Sequence, residues 1–487
     1  MANLLGTIAT SIALLLTAFT TPVCAITFKV PAKVGALGYR FETLDPSPVG
    51  LSFEFYAFPS YFTDLNATSH CLSNWKNLSG TWPPIRLGGT SQDRATYDPT
   101  MAAYAVYSAP FDGVGLPLSL TYGPSYFKLA ATYGGSVVLG LNRAKNNITN
   151  TIQAAQAAVL QMRNLLAIEL GNEPEYWGGH EPVSVGVNWT QEADASSQNS
   201  WSVQVGNAIK KRNIIQAGNS LSDPPSWGAE KLIATQDTNV RKYIATYSHH
   251  NYPGGSVQSL MNHIGIADNL RKFDADVAAA RGAGKPYVLG ETNSVSQGGS
   301  PDVSPTFGAA LWTLNYVVHA SLNNIRRTYF HQATIGNCRY CHWNRENIGT
   351  PYYGATAAVA FLAGGKHLTA LDSGKTNYGA YATYDAGGKP LKLLLYNSDY
   401  FSGTGTRTFA PFFMKGLGGK SVRAKRLTAE NALARQDQGE KPTWGGQTYE
   451  DLTCIARGTE VWETVNVTEG QATFSLQASE ALVVYLK

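Results

Sequence analysis

Two short segments, far apart in the chain, each end in a glutamate. The run Leu165-Leu166-Ala167-Ile168 leads into Leu170-Gly171-Asn172-Glu173-Pro174, and Tyr287-Val288-Leu289-Gly290 leads into Glu291-Thr292-Asn293. Both read as β-type runs with a Gly near the carboxylate and polar residues after it. Two carboxyls at the ends of separate strands are the minimal machinery for cleaving a glycosidic bond. One protonates the leaving oxygen, and the other attacks the anomeric carbon or activates water. A glutamate in a helix-start turn would look like Glu173 by itself, since Pro174 also favours such a turn. The second segment is what separates the two readings. Glu169 and Glu175 flank the first segment, one inside the strand and one beyond the proline. Neither holds the motif position, and both are read as structural or rim residues.

Strand ends in register require a scaffold. From about residue 50 to 365, short apolar runs alternate with helical stretches, the pattern of a parallel α/β architecture. Eight runs can be counted. They are Leu51–Phe55, Ile85–Gly88, Val137–Gly140, the run before Glu173, Ile214–Ala217, Ala245–His249, the run before Glu291, and Arg327–Phe330. Helices are expected over Thr151–Met162, Ile266–Ala280 and Ala309–Leu322. Eight alternations fit a closed (β/α)8 TIM barrel better than an open sheet, and no G-x-G-x-x-G follows the first strand. After Gly364-Gly365 the runs Tyr378–Tyr384, Leu391–Tyr396, Arg407–Phe413, Ser421–Leu427 and Ala472–Leu486 read as strands of a C-terminal antiparallel β-sandwich. Ile26–Val30 is strand-like and is expected to join that sandwich. The expected division is 26–45 for the N-terminal strand, 46–365 for the barrel and 366–487 for the sandwich.

The 487 residues suffice for a large barrel and a smaller module. Apolar residues make up 44% and charged ones 15%, which excludes a disordered chain, and a net charge of +4 is too small to imply nucleic acid. Residues 1–25 read as a signal peptide: the apolar run Ile12–Leu16 is followed by Val23-Cys24-Ala25 with small residues near the cleavage point, although the start lacks Lys and Arg. No later membrane anchor is seen, so a secreted, extracellular protein is expected. Sequons begin at Asn66, Asn77, Asn147, Asn188 and Asn466, and five on a secretory route suggest a glycoprotein. Cleavage would leave Cys71, Cys338, Cys341 and Cys454, for which three disulfide pairings are possible. Cys338-Arg339-Tyr340-Cys341-His342 also fits the c-type haem attachment pattern, but a disulfide or free thiols is the preferred reading. No cofactor and no metal are expected.

The motif set resembles the retaining glycosidases of clan A, and more narrowly glycoside hydrolase family 79, which contains β-glucuronidases and heparanase. Besides the two glutamate segments, the resemblance rests on Arg86-Leu87-Gly88-Gly89-Thr90, Gly140-Leu141-Asn142 and His249-His250-Asn251-Tyr252, all at strand ends and in barrel order. It covers nearly the whole mature chain. It implies Glu173 as acid/base, Glu291 as nucleophile, and Asn172 as partner of the sugar 2-hydroxyl. It implies Arg86 and Tyr252 beside the nucleophile, and His250 either supporting it or packed as a core histidine. For a uronic acid it implies Tyr340 and the amides of Gln297 and Gly298 at the sugar carboxylate, and Glu54 at sugar hydroxyls. The expected activity is that of a secreted exo-β-glucuronidase acting on β-glucuronide-containing carbohydrate; the sequence does not speak to tolerance of a 4-O-methyl group. An endo-acting heparanase-like or hyaluronan-cleaving glycosidase ranks second, because Lys420–Arg426 and Lys210-Lys211-Arg212 fall away from the expected site. A non-catalytic carbohydrate-binding protein ranks third, since it would be expected to have lost one glutamate. A haem-binding electron carrier ranks last, and no G-x-S-x-G supports a serine hydrolase. The sequence does not speak to oligomeric state.

Overall fold

The computed structural model describes residues 26–34 and 43–486. The expected signal peptide and part of the expected N-terminal stretch lie outside the described residues. Eight parallel strands close a barrel: β1 (Val49–Glu54), β2 (Ile85–Gly88), β3 (Val137–Leu141), β4 (Leu165–Leu170), β5 (Ile215–Ser220), β6 (Ile244–Asn251), β7 (Tyr287–Thr292) and β8 (Ile325–Gln332). Each strand pairs with its neighbours in chain order, and β8 closes on β1 with Thr328 opposite Val49. Every residue of β1, β2, β3 and β7 is buried. Strands covered on both faces read as continuous apolar runs rather than as alternations, which is why the runs stood out in the sequence.

The expected helices Thr151–Met162 and Ala309–Leu322 correspond to Ile148–Gln161 and Phe307–Leu322. The expected single helix Ile266–Ala280 is instead two, His263–Arg271 and Asp274–Gly282. The break turns Phe273 fully into the core, where it packs on His249 and Tyr287.

The C-terminal strands form two sheets. The larger contains His367–Ala370, Tyr378–Tyr384, Pro390–Asn397, Ser421–Thr428 and Glu480–Tyr485, with antiparallel pairing throughout. The smaller pairs Phe409–Lys415 with Gln471–Gln477 and, in parallel, with Ile26–Lys29. Their facing sides bury Ala382, Leu393, Leu395, Phe412, Phe474 and Val484 in one core. The run Ala472–Leu486 was expected as one strand. It is two, one in each sheet, because Ser479 adopts φ 58° at the corner between them. Helices Phe307–Leu322 and Pro351–Leu362 are buried nearly all round and pack on each other.

Cys71 pairs with Cys454 across 383 residues, and Cys338 pairs with Cys341. The haem pattern therefore has no free thiol to offer, and His342 is buried edge-on against Trp75 and Phe330. The five sequon asparagines are all exposed. The Cys71–Cys454 bridge ties the helix Asn66–Ser79 to a loop of the C-terminal region. Cys454→Ser is expected to lower unfolding stability by about 2–4 kcal/mol, the usual effect of removing such a cross-link. Denaturant titration with and without the substitution measures it.

Candidate active site

The barrel strands deliver their C-terminal residues to one face, where a cavity of about 360 Å³ opens. Glu173 follows β4, and Glu291 ends β7. A carboxylate oxygen of each lies within 4.8 Å of the other. Glu173 sits at φ 48°, ψ 59°, a left-handed conformation uncommon for a residue with a side chain. Its amide donates to Asn219 O at 2.9 Å, which fixes the turn. Gly290 lets β7 approach β6, since a Cβ there would meet the Ser248 hydroxyl at 2.2 Å.

Arg86 on β2 has no exposed surface. Its Nη1 donates to Glu291 Oε2 at 2.6 Å and to Ser52 Oγ at 2.8 Å. Its Nη2 donates to Glu169 at 2.5 Å and to Asn172 Oδ1 at 2.8 Å, and Nε also reaches Glu169. The Tyr252 hydroxyl donates to the other Glu291 oxygen at 2.7 Å. Asn172 has its carbonyl oxygen engaged by Arg86, which directs its amide NH2 away from the guanidinium. Glu169, inside β4, is a buried partner of Arg86 and also accepts from Gln216 at 2.7 Å. Glu175 accepts from the Leu221 amide on the rim.

Glu54 is buried at the end of β1, and Ser91 holds its Oε1 through amide and hydroxyl at 2.8 and 2.5 Å. Gly89, at φ 96°, leaves the space for that carboxylate, because a Cβ there would lie 2.3 Å from it. Gln297, Gly298 and Tyr340 line the cavity together with Glu54, Tyr252 and both central glutamates. The Tyr340 hydroxyl contacts the Tyr252 hydroxyl and the Gly298 backbone amide, and the Arg339 amide ties the two loops by donating to Gly298 O at 2.6 Å.

His250 presents a ring nitrogen within 4.8 Å of a carboxylate oxygen of each central glutamate. Its Nδ1 lies 2.9 Å from Glu173 Oε1, so its hydrogen bond goes to Glu173 and not to Glu291. The cause is a register shift between His249 and His250 where β6 pairs with β7, which re-aims the side chain. His331 on β8 was not singled out from the sequence. It lies 3.2 Å from Glu54 Oε2, 3.5 Å from Glu291 Oε2 and 3.1 Å from Ser52 Oγ. Nothing in its local sequence, Tyr-Phe-His-Gln, marks it; only its place at the end of the eighth strand does.

Comparison with known proteins agrees with this architecture. Residues 380–483 match the Glycosyl hydrolase family 79 C-terminal beta domain. A β-glucuronidase of Aspergillus niger is 30% identical over 480 residues, covering 87% of this chain and 86% of the relative. The chain belongs to glycoside hydrolase family 79. A Neurospora crassa β-glucuronidase is 28% identical over 69% of this chain and 67% of its own length. The crystal structure of a 4-O-α-L-rhamnosyl-β-D-glucuronidase from Fusarium oxysporum, in complex with Rha-GlcA, is 44% identical. It superposes with a TM-score of 0.91 over 95% of this chain and 100% of that one. Arabinofuranosidases such as that of Thermotoga maritima, at 13% identity and a TM-score of 0.60, share the fold alone.

The electrostatics of this family 79 site separate its two central carboxyls. Burial and the nearby charge of Glu291 push Glu173 up to about 8. Burial would raise Glu291 too, but His331, His250, Arg86 and the Tyr252 hydroxyl outweigh it and hold that carboxyl well below the usual range. Glu291 and Glu54 in turn overcome the burial that would lower His331, and raise it. Burial lowers His250 to about 4, so it stands neutral beside Glu173. Near neutral pH one carboxyl is thus a proton donor and its neighbour an anion, the division that glycosidic cleavage requires. Glu173, His250 and Glu291 also present ligand atoms within 4.8 Å of one another. The guanidinium in contact with Glu291 already balances that carboxylate, which favours acid–base use of the trio.

Carbon-13 NMR of labelled glutamates checks this division. Glu173 is expected to titrate near pH 8. Glu291→Gln removes the anion that helps hold the proton, so the Glu173 titration is expected to move downward.

Proposed function

We propose that this chain is a retaining exo-β-glucuronidase. The observation that carries the reading is the close pair of carboxyls at the ends of β4 and β7, one held protonated and the other ionised. Retaining enzymes hold their carboxyls roughly 5–5.5 Å apart, whereas inverting ones leave room for a water at about 6.5–9.5 Å. Glu173 protonates the glycosidic oxygen while Glu291 attacks C1 and forms a glucuronosyl ester. Glu173 then takes a proton from water, and the water displaces Glu291. Arg86 and Tyr252 keep Glu291 ionised and aimed, and Asn172 donates to the 2-hydroxyl. His250 is hydrogen-bonded to the acid/base Glu173.

Specificity for a uronic acid rests on the Tyr340 hydroxyl and the amides of Gln297 and Gly298, which meet the sugar carboxylate, and on Glu54 and His331 at the hydroxyls. An anion buried in a cleft requires such donors. The basic stretches lend no support to a heparanase-like reading. Arg426 and Lys425 are spent on Glu463, Glu480 and Glu460 in the sandwich, and Lys210–Arg212 precede β5 at the opposite end of the barrel. A finer reading is that the glucuronate carries a 4-O substituent. The Fusarium relative is named as a 4-O-rhamnosyl glucuronidase, and here Asp112, Leu116, Thr334 and Asn337 also line the cavity that holds the carboxyl pair. Secretion as a glycoprotein is supported by the leader-like residues 1–25, the exposed sequons and the two disulfides. No helix among the described residues is long and apolar enough to cross a membrane.

A panel of chromogenic β-glycosides, with and without a 4-O substituent, tests the substrate; preference for glucoside or xyloside over glucuronide would defeat the assignment. Glu291→Ala is expected to abolish turnover of every substrate. Glu173→Ala is expected to hurt least when the leaving group is already good, because such a group needs little protonation, and to be rescued by azide as the β-glucuronosyl azide. A β-azide from the Glu291 variant instead would reverse the roles.

Tyr340→Phe is expected to raise KM for the glucuronide and narrow its gap to the glucoside by about 1.5–3 kcal/mol, the range for a hydrogen bond to a charged group. Paired kinetics on the two substrates measure it.

A further inference from the structure

The segment between β8 and the helix Pro351–Leu362 carries Tyr340, and a disulfide closes around it. Cys338 is bridged to Cys341, with Arg339 and Tyr340 inside the ring. A cross-link stabilises a fold chiefly through the loop it closes, and the effect grows with the length of that loop. The Cys71–Cys454 bridge spans 383 residues and suits that purpose. A bridge spanning 3 residues restrains the unfolded chain least. Its value lies in what it holds in place once the protein is folded.

What it holds is one side chain. Tyr340, Cys341 and Ala333 form a small buried cluster of their own, with Cys338 and Tyr252 packed against it. Two hydrogen bonds of the segment lie on either side of Tyr340. The Arg339 amide donates to Gly298 O at 2.6 Å, and the His342 amide donates to Gln332 Oε1 at 2.7 Å. The Cys341 sulfur lies 3.4 Å from the Tyr61 hydroxyl, which donates to Ala333 O at 2.9 Å. Tyr61 sits in the helix Phe58–Thr63 with no exposed surface, so the inner end of the bridge rests on a fixed wall. In the cavity, the Tyr340 ring centre lies 6.2 Å from that of Tyr252 and 6.3 Å from that of His331. Packing of this kind limits rotation of the ring. It does not stop an irregular backbone from sliding, and a binding group must be held within about 0.5 Å of its working position. A covalent ring that includes the residue supplies that restraint.

We infer that the Cys338–Cys341 disulfide is a positioning element for specificity: it fixes Tyr340 where its hydroxyl meets a uronate carboxylate. The inference rests on the glucuronidase reading. The bridge is also open to chemical test. Cys338 is half-buried and lines a groove of about 300 Å³ that shares no residue with the substrate cavity. Cys71 and Cys454 have no exposed surface. A dithiol therefore reaches the short bridge first. It gives up two electrons and two protons and becomes a disulfide, while the Cys338–Cys341 bond becomes two thiols.

The ratio of kcat/KM for a β-glucuronide to that for the matching β-glucoside reads the placement of Tyr340. Replacing both cysteines, Cys338→Ser with Cys341→Ser, is expected to cut this ratio about tenfold, mainly through KM for the glucuronide. That is the weak end of the range for a hydrogen bond to a charged group. Brief dithiol treatment of the folded wild type, stopped when titration counts one pair of free thiols, is expected to give the same loss, and reoxidation to reverse it. Should the variant fail to fold, this treatment alone decides. In a Tyr340→Phe background the two serines are expected to add little, because the hydroxyl they would misplace is already gone. A ratio unmoved in the double serine variant or in the reduced enzyme overturns the inference alone. So does an undiminished further loss in the Tyr340→Phe background. A wild-type enzyme that prefers the glucoside overturns the glucuronidase reading and this inference with it.

Discussion

Arg86 carries its charge with no exposed surface, between Glu169, Asn172, Ser52 and Glu291. A guanidinium in that position is costly unless its donors are met and its charge is balanced. Glu169 meets it with two oxygens, and Glu291 adds a third charged contact. The carboxyls outnumber the cations around it. Glu54, Glu169 and Glu291 face Arg86 and the raised His331. A further carboxyl buried at that spot ionises only against the field of Glu291, and Glu173 is the one displaced upward. The two charge states of the central pair follow from burial, which raises Glu173, and from the unequal sharing of the nearby groups His331, His250 and Arg86, which favour Glu291 as the anion. Arg86 touches Glu291 directly, and no hydrogen bond or ion pair links it to Glu173.

The barrel makes this arrangement possible. Ser52, Arg86, Glu169, Gln216, Glu291 and His331 come from β1, β2, β4, β5, β7 and β8, and a closed parallel sheet points all of their strands the same way. Their side chains converge inside it without any loop having to carry them. The irregularities fall where the site needs a group re-aimed. The shift at His249/His250 turns His250 toward Glu173. Glu173 itself occupies a left-handed conformation that costs of order 1–3 kcal/mol and persists only where the surroundings enforce it. The Asn219 hydrogen bond and the anchored Pro174 turn are those surroundings.

The C-terminal sheets stand behind this face rather than in it. Their contact with the barrel runs through buried helices, through the Cys71–Cys454 bridge, and through a polar knot in which Tyr381 bonds Asn315 and His319 while His263 meets Asp372. Such a satisfied network fixes one docking of the two layers. The loops that line the cavity are braced separately: Arg339 and Asn337 bond Gly298 and Val114, and the Tyr61 hydroxyl holds Ala333. Tyr340 is therefore presented on a loop tied at several points.

The sequence by itself determined the barrel and the central glutamates. Strands buried on both faces must be apolar throughout, and the chain advertises them as Val, Ile, Leu and Tyr runs at helical spacing. A glutamate at the end of such a run has one physical reading far stronger than the others, so Glu173 and Glu291 were legible. So were Arg86, a charge in an apolar strand that demanded a partner, and the strand added by Ile26–Lys29. Tertiary structure alone decided the rest. The partner of His250 depends on a register shift that no local pattern encodes. His331 matters only because barrel closure sets β8 beside β1, and which buried group Glu169 pairs with is decided by the strands that face it. The helix break at Phe273 and the corner at Ser479 follow from what each must pack against, not from propensity. Residue type and run length are local quantities, written in the chain. Which groups share a buried charge, and on which side of a carboxyl an open space lies, are properties of distances that exist only once the barrel has closed.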